Sequence, residues 1–177
     1  MGTDASAGDD GRRFRDVLGH FPTSVVAITA TGSEGRPEGM VVGSFTSVSL
    51  DPPLVSFLAD RSSGTLPKIK AAGRFCANAL AADQENLSRR LAARGTDRFA
   101  GVAWETSPSG SPVLDGVVAW VDCAIEDVLT IGDHDLVVGR VHDLRIASAK
   151  TPLLFFKGSY GDYFSTTSLL LDQLVGW

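Results

Sequence analysis

The stretch GMVVGSFTSVSLDPPLVSF, residues 39–57, decides the fold of this chain. It predicts two strands joined at residues 51–53, and the first strand carries three hydroxyl side chains. Because a strand sends successive side chains to opposite faces, Ser47 and Ser49 share one face and Thr46 lies on the other. Small polar side chains in an otherwise apolar strand pair indicate either a wall against which a ligand lies or a plain edge strand rich in serine and threonine.

The rest of the chain predicts a mainly β domain with a few short helices. Runs rich in β-branched residues, bounded by turn residues, predict further strands at 24–31, 74–80, 117–128, 135–146 and 152–157. Apolar periodicity and capping residues predict short helices at 14–21, 66–72 and 84–93. Many short strands with mostly antiparallel connections are typical of a β-sandwich or a β-barrel.

Length and charge limit the possible functions. A chain of 177 residues is long enough for one domain with a real core. We expect a disordered tail over 1–11, the domain over 12–165, and an apolar tail over 166–177 that packs on a partner subunit. The net charge of −5 argues against nucleic-acid binding. No apolar run is long enough to predict a membrane span, and the N-terminus lacks the apolar core of a signal peptide.

The two cysteines and the lack of common cofactor motifs in the sequence limit the possible protein classes further. Cys76 and Cys123 lie in apolar strands without the spacing of a zinc site or a redox pair, so we expect buried thiols and a cytoplasmic protein. No dinucleotide fingerprint or P-loop is present, and the loose acidic and histidine cluster after residue 132 matches no standard metal site.

One segment suits a phosphate group. Ser62, Ser63 and Thr65 precede the start of the helix predicted at 66–72, and Lys68 lies one turn into it. A helix N-terminus presents free N–H groups and the positive end of the helix dipole, which together attract anions. The alternative is that these hydroxyls only cap the helix.

The order of several short motifs resembles that of a known family. The motifs are GMxxxSFTSVSLDPPL, SxT, RFxxNxLxxxQxxLS, DRF, GDH and KGxY, and the similarity around them extends from about residue 14 to residue 160. This order resembles the flavin reductase family, and more narrowly the small NAD(P)H:flavin oxidoreductase component of two-component monooxygenases. The resemblance implies an FMN-binding split β-barrel, a Greek-key-like antiparallel barrel, that forms a homodimer with flavin sites at the subunit interface.

The resemblance also implies a set of site residues. The residues that would contact FAD or FMN are Met40, Val41, Val42, Gly43, Ser44, Thr46, Ser47, Ser63, Thr65, Ala77, Asn78, Leu80, Gln84 and Ser88. His134 and Tyr160 would flank the nicotinamide nucleotide, and His134 is the candidate catalytic residue.

Some of these residues have a structural alternative. Asn78 could only satisfy neighbouring backbone groups, Gln84 could be a solvated residue of a first helical turn, and Tyr160 could be a core ring. Family members often have Thr and Asn where this chain has Val41 and Gly43, so backbone N–H groups near Gly43 would have to replace two side-chain donors.

The implied reaction is reduction of FAD or FMN by NADH, with NADPH possible, followed by release of reduced flavin to a separate flavin-dependent monooxygenase. The two nucleotides supply the hydride chemistry, so a site of hydroxyls and backbone amides suffices. The main alternative is a non-catalytic flavin-binding split-barrel protein. A pyridoxamine-phosphate-oxidase-like enzyme and a purely structural dimerisation module are further alternatives.

Overall fold

The computed structural model describes residues 4–93, 95 and 97–165 as a mainly β chain. Its helices are α1 (Asp4–Leu18), α2 (Leu66–Ala72) and α3 (Glu85–Ala92), the last preceded by a 3-10 turn at Ala82–Gln84. The strands are β1 (Thr23–Ser24), β2 (Val26–Thr31), β3 (Pro37–Val42), β4 (Thr46–Leu50), β5 (Pro53–Asp60), β6 (Arg74–Ala79), β7 (Trp104–Thr106), β8 (Pro112–Leu114), β9 (Ala119–Ile131), β10 (His134–Ile146), β11 (Leu153–Phe156) and β12 (Ser159–Asp162).

A seven-stranded antiparallel sheet forms the body of the domain, in the order β3-β2-β6-β9-β10-β5-β4. Two small sheets, β1-β11-β12 and β7-β8, accompany it. All the strand pairs are antiparallel, as expected from the short connections. The mainly β, antiparallel fold predicted from the sequence is confirmed.

The large sheet curls so that its two edges approach one another. The Ser44 hydroxyl, just after β3, donates to the carbonyl oxygen of Leu58 at 3.1 Å and accepts the Leu58 N–H at 2.9 Å. Leu58 belongs to β5, near the opposite edge of the same sheet. A serine side chain therefore joins the two edges where no backbone ladder does.

Two apolar cores lie on opposite faces of the large sheet, and alternation along the central strands supplies both. The inner core takes Val26 and Ile28 from β2 and Phe75 from β6, and α2 closes it with Ile69. The outer core takes Ala27 and Cys76 from the same two strands and is covered by α3, β8 and β11. Because β2 and β6 are buried on both faces, they read as continuous apolar runs in the sequence.

Gly139 on β10 leaves room for the inner core to pack. A Cβ built on Gly139 would lie 2.5 Å from Cζ of Phe75, which is closer than real Cβ contacts. The register of β10 against β9 also shifts between Val138 and Gly139. The glycine and the bulge therefore accommodate the Phe75 ring, which meets Phe57 edge to face at 5.2 Å.

The structure corrects several predicted boundaries. Residues 39–57 contain three strands, because the chain leaves β3 at Val42 and starts β4 at Thr46. The first helix begins at Asp4, so residues 4–11 of the expected disordered tail are helical, and residues 1–3 are outside the described part. Strand β12 was not predicted. The expected packing of the tail 166–177 on a partner lies outside the described residues.

Both cysteines are free and buried. Burial and the nearby Asp122 carboxylate raise the pKa of both thiols, that of Cys123 to about 12. These thiols are therefore structural rather than reactive. Among the described residues, no helix has the length and apolar character needed to cross a membrane.

Candidate functional site

Strand β4 presents hydroxyl side chains to solvent at the edge of the large sheet. Thr46 and Ser47 are exposed, and with the described residues their two hydroxyls make one bond, a local one of 3.3 Å from Thr46 to the Ser47 carbonyl. A register shift against β5 between Ser47 and Ser49 interrupts the expected alternation. In the part of the chain that the structure describes, these two hydroxyls therefore bond to no group outside their own strand.

The turn that carries His134 lies beside the end of β5. His134 pairs with Asp60 across the β10–β5 ladder, and the Arg61 N–H donates to the Asp133 carbonyl at 3.1 Å. The His134 Nδ1 lies 2.7 Å from a carboxylate oxygen of Asp133. This hydrogen bond lowers the pKa of Asp133. Because a carboxylate only accepts, Nδ1 carries the proton, and Nε2 is the acceptor nitrogen of the neutral ring.

The loop after β5 leads into the N-terminus of α2, and its hydroxyls already have partners. Ser63 Oγ accepts the N–H groups of Thr65 at 3.2 Å and Leu66 at 3.4 Å, so Ser63 caps the helix. The buried Thr65 hydroxyl accepts a bond of 2.7 Å from the Arg98 guanidinium. Ser63 therefore has the capping role, and the Thr65 hydroxyl is hydrogen-bonded to the cationic side chain of Arg98.

A cleft of about 780 Å³ opens beside this helix start. Its lining residues include Arg36, Gly39, Gly64, Thr65, Lys68, Arg98 and Trp104. Lys68 is paired with Glu38 at 2.7 Å, so its charge is already neutralised. In the described part of the chain, Arg98 donates only to neutral oxygens, namely the Thr65 hydroxyl at 2.7 Å and the Gly39 carbonyl at 2.9 Å. Both bonds come from the same guanidinium nitrogen. Arg98 is thus the cation best placed to meet an anion here.

Arg98, in the DRF motif, is the residue that the sequence reasoning missed, since it was not among the predicted site residues. Its bonds do tie the helix start to β3, but they also place the guanidinium on the cleft wall. The motif order contained the signal, because DRF lies between the segment of Gln84 and that of His134 in the family-like pattern. Phe99, the next residue, packs in the outer core.

The predicted site residues of β3 mostly face the two cores. Met40 and Val42 pack against the inner core, and Val41 packs against the outer core. Gly43 is exposed, and a Cβ there would lie 2.8 Å from the Thr23 hydroxyl oxygen. Because Gly43 has no side chain, Thr23 of this chain packs closely against it.

Asn78 lies at the centre of a buried hydrogen-bond cluster. Its amide nitrogen has acceptors at 3.0 to 3.4 Å on Ala27, Thr29, Cys76 and Pro112, and its carbonyl oxygen accepts the Leu114 N–H at 2.9 Å. The side chain is fully buried. Its neighbours in the predicted site, Ala77 and Leu80, are also buried. These three side chains line no surface that a ligand reaches in this chain, and Asn78 has the backbone-satisfying role.

Gln84, Ser88 and Tyr160 come together near α3. Gln84 accepts the Ala81 N–H at 2.9 Å and donates to the Asp115 carbonyl at 2.7 Å, so it fixes a turn. The Ser88 and Tyr160 hydroxyls lie 2.9 Å apart, and Arg89 lies 4.8 Å from the centre of the Tyr160 ring. Tyr160 also packs against the outer core. This group therefore joins β12 to α3.

His134 and Tyr160 lie at opposite ends of the chain's long strands. His134 and Ile146 end the 13-residue β10, whose contour length is at most roughly 40 Å at about 3.3 Å per residue. Strand β11 lies at the Ile146 end, because the Leu153 N–H donates to the Leu80 carbonyl there, and Tyr160 pairs with β11. One chain therefore does not bring His134 and Tyr160 to one ligand, whereas it does bring His134 near the loop of Ser63 and Thr65.

The sequence matches a known family model. The model described as a flavin reductase like domain covers residues 18–163. A flavin reductase of Pseudomonas putida is 49% identical over 87% of this chain and 91% of the relative. The reductase subunit HsaB of a flavin-dependent monooxygenase from Rhodococcus jostii is 43% identical over 90% of this chain and 81% of the relative. An FMN reductase (NADH) of Agrobacterium fabrum is 41% identical over 88% of both chains.

Solved structures share the fold. Component B of a nitrilotriacetate monooxygenase from Mycobacterium thermoresistibile superposes with a TM-score of 0.86 at 42% identity, over 89% of both chains. An NADH:FAD oxidoreductase of Streptomyces globisporus, solved with NAD and FAD fragments, has a TM-score of 0.82 at 35% identity. That match covers 89% of this chain and 94% of the other.

Proposed function

The chain belongs to the flavin reductase family, and we propose that it reduces FAD or FMN with NADH and passes the reduced flavin to a separate monooxygenase. The observation that carries this proposal is the pair of exposed hydroxyls on β4, which have no partner outside their own strand among the described residues, in a chain whose sequence matches the family over residues 18–163. The relatives named above include the reductase subunit HsaB of a flavin-dependent monooxygenase.

The available donors fit a flavin nucleotide. Thr46 and Ser47 offer hydroxyls, and Arg98 keeps N–H groups beyond the one nitrogen used within the chain. A flavin presents ring carbonyls and nitrogens at one end and phosphate at the other, which are acceptors for these two kinds of donor. Two carboxylates also line the cleft, but Glu38 is paired with Lys68 and Asp97 accepts the Phe99 N–H. We therefore place the ring along β4 and the phosphate in the Arg98 cleft.

The bound nucleotides supply the hydride transfer, and the chain supplies position. Thr46, Ser47 and the main-chain N–H groups of residues 43–47 would hold the pyrimidine edge of the ring. His134 would orient the nicotinamide through Nε2, since Asp133 holds Nδ1. Holding two rings in contact converts a bimolecular encounter into a unimolecular step, which is the main contribution we assign to the protein.

We propose a homodimer in which the nicotinamide nucleotide contacts His134 of one chain and Tyr160 of the other. The support is the place of these residues within one chain, since they lie toward opposite ends of the 13-residue β10. Of the remaining predicted contacts, we keep Met40, Val41, Val42, Gly43, Ser44, Ser63 and Thr65 as the backbone wall of the flavin site. Gln84 and Ser88 would then border the adenosine end beside Tyr160.

Absorbance at 340 nm tests the proposal. Purified chain would be mixed with NADH or NADPH and with FAD, FMN or riboflavin in all combinations. We expect catalytic NADH oxidation that depends on added flavin. The alternative, a non-catalytic flavin-binding protein, would bind flavin and leave the absorbance unchanged.

We also propose a cytoplasmic location, because both cysteines of this chain are free.

A further inference from the structure

Asp135 carries a buried carboxylate on β10, directly after His134. Because successive residues of a strand face opposite sides, the two side chains diverge: that of His134 is 41% exposed and that of Asp135 is 6% exposed. A buried charge is costly unless it is paired and hydrogen-bonded. The partners of this carboxylate therefore show which parts of the fold it holds together.

Three separate segments of the chain meet at Asp135. On β9, the Thr130 hydroxyl donates to one carboxylate oxygen at 3.0 Å, and in the last turn of α2 the Lys70 amine donates to the other at 3.0 Å. Arg61, which follows β5, brings its Nε within 3.8 Å of the first oxygen. In the described part of the chain, Lys70 and Arg61 pair with no other carboxylate. One carboxylate thus holds two cations.

These contacts join the histidine turn (residues 132–134) to the β5–α2 loop (residues 61–65). The Arg61 N–H donates to the Asp133 carbonyl at 3.1 Å, so the turn and the start of the loop already meet at the backbone. The loop continues directly into α2, and the bond from Lys70 to Asp135 fixes that helix against β10. The position of the turn relative to the loop therefore depends on this carboxylate.

The turn and the loop have separate tasks in the proposed function, on which this inference rests. The histidine turn would orient the nicotinamide through His134, and the β5–α2 loop lines the cleft of the flavin phosphate with Gly64 and Thr65. If the two elements shift relative to one another, each nucleotide keeps its own contacts but the two rings lose their alignment. A displacement of about 1 Å can slow a reaction between bound partners by about a hundredfold.

We propose that Asp135 is a positioning residue for the hydride transfer, which fixes the histidine turn against the β5–α2 loop through Lys70 and Arg61. Because its side chain is buried, Asp135 touches neither nucleotide. Removal of the carboxylate also leaves two cations without a counter-charge beside the site, and cations attract anionic nucleotides. The loss of charge alone would tighten nucleotide binding, whereas the loss of position slows the transfer.

Anaerobic stopped-flow measurement of flavin reduction, at saturating NADH and flavin, tests the proposal. In Asp135→Asn, which keeps the size of the side chain, we expect the rate to fall about tenfold or more. The KM for NADH should rise by no more than about twofold, because the contacts of each nucleotide remain. Lys70→Met should give the same loss of rate, and Lys70→Arg, which keeps the ion pair, should restore most of it. The double variant should be no slower than either single variant, because both substitutions break one link.

A cross-strand ion pair on the same two strands provides the matched control. Arg140 Nε on β10 donates to the Glu126 carboxylate on β9 at 2.8 Å, and this pair includes no residue of α2 or of the β5–α2 loop. Glu126→Gln should therefore keep the rate within about twofold of wild type. Unfolding midpoints in urea establish that each variant is folded. The Lys70 side chain is 42% exposed, so Lys70→Met decides the question if Asp135→Asn does not fold.

The outcomes separate this inference from the proposed function. A wild type that oxidises no NADH would overturn both. An active wild type with an equally fast Asp135→Asn or Lys70→Met would overturn the positioning role alone. A higher KM for NADH at an unchanged rate, or an equal loss of rate in Glu126→Gln, would overturn it as well.

Discussion

Strand β4 and the Asn78 cluster both carry small polar side chains. Those of Thr46 and Ser47 on β4 are exposed, whereas that of Asn78 is buried. On β4, the hydroxyls of Thr46 and Ser47 are exposed and make one local bond between them. Around Asn78, the amide is fully buried and has four acceptors and one donor around it. A polar residue whose hydrogen bonds are all made inside the chain stabilises the fold, whereas one with spare donors on the surface is available to a ligand.

Of the substitutions that this comparison suggests, replacement of Asn78 should have the largest effect on stability. Asn78→Ala leaves the buried Leu114 N–H and several carbonyls without partners, and we expect a loss of about 3 kcal/mol in the free energy of unfolding. Urea denaturation followed by tryptophan fluorescence measures this loss. Ser47→Ala is the matched control, with an expected change within about 0.5 kcal/mol. Equal losses at the two positions would remove the distinction between the regions.

The second prediction concerns the cation of the cleft. Arg98→Ala should raise the KM for FMN and FAD about tenfold, because a charge-assisted bond to phosphate contributes about 1.4 kcal/mol or more. The KM for riboflavin, which has no phosphate, should stay within about twofold of wild type. Lys68→Ala should have a smaller effect, since Glu38 already pairs with Lys68. A parallel rise in the riboflavin KM would show that Arg98 only supports the fold.

The third prediction separates the two nucleotides. His134→Ala should raise the apparent KM for NADH by several-fold and change that for flavin less, because the loss of one hydrogen bond costs about 1 kcal/mol. Initial rates at 340 nm under separate saturation with flavin and with NADH give both constants. An unchanged KM for NADH would remove His134 from the site.

The smallest effect is a pH dependence near the same turn. Hydrogen bonds from Lys70 and Thr130 lower the pKa of Asp135. The folded chain therefore favours the ionised carboxylate, and this stabilisation is complete above the ordinary pKa of about 3.9 and lost as pH falls through the lowered value. Asp135→Asn should accordingly be less stable than wild type at pH 7, and the two unfolding midpoints should converge on acidification below about pH 4. A gap independent of pH would contradict this assignment.

The sequence predicted the strands best where burial on both faces makes an apolar run, as in β2 and β6. The sequence did not predict β12, which pairs with β11 after a tight turn at Lys157 and Gly158. Both turn residues have positive φ, and the apolar pattern did not reveal this turn. The family-like motifs placed candidate site residues on β4 and in the turn of His134, and the structure shows that Thr46, Ser47 and Asp133 are exposed there. They could not distinguish Asn78 from Ser47, because whether a polar group is satisfied depends on residues distant in the chain.

One measurement tests the central claim most directly, namely that the β4 hydroxyls hold the flavin. It is the kcat/KM for FAD and FMN of the double variant Thr46→Val, Ser47→Ala, determined beside the unfolding midpoint of the same protein. The predicted result is a fall of roughly tenfold or more, for two lost hydrogen bonds of about 1 kcal/mol each, at an unchanged midpoint. A kcat/KM equal to that of wild type in a fully folded variant would contradict it.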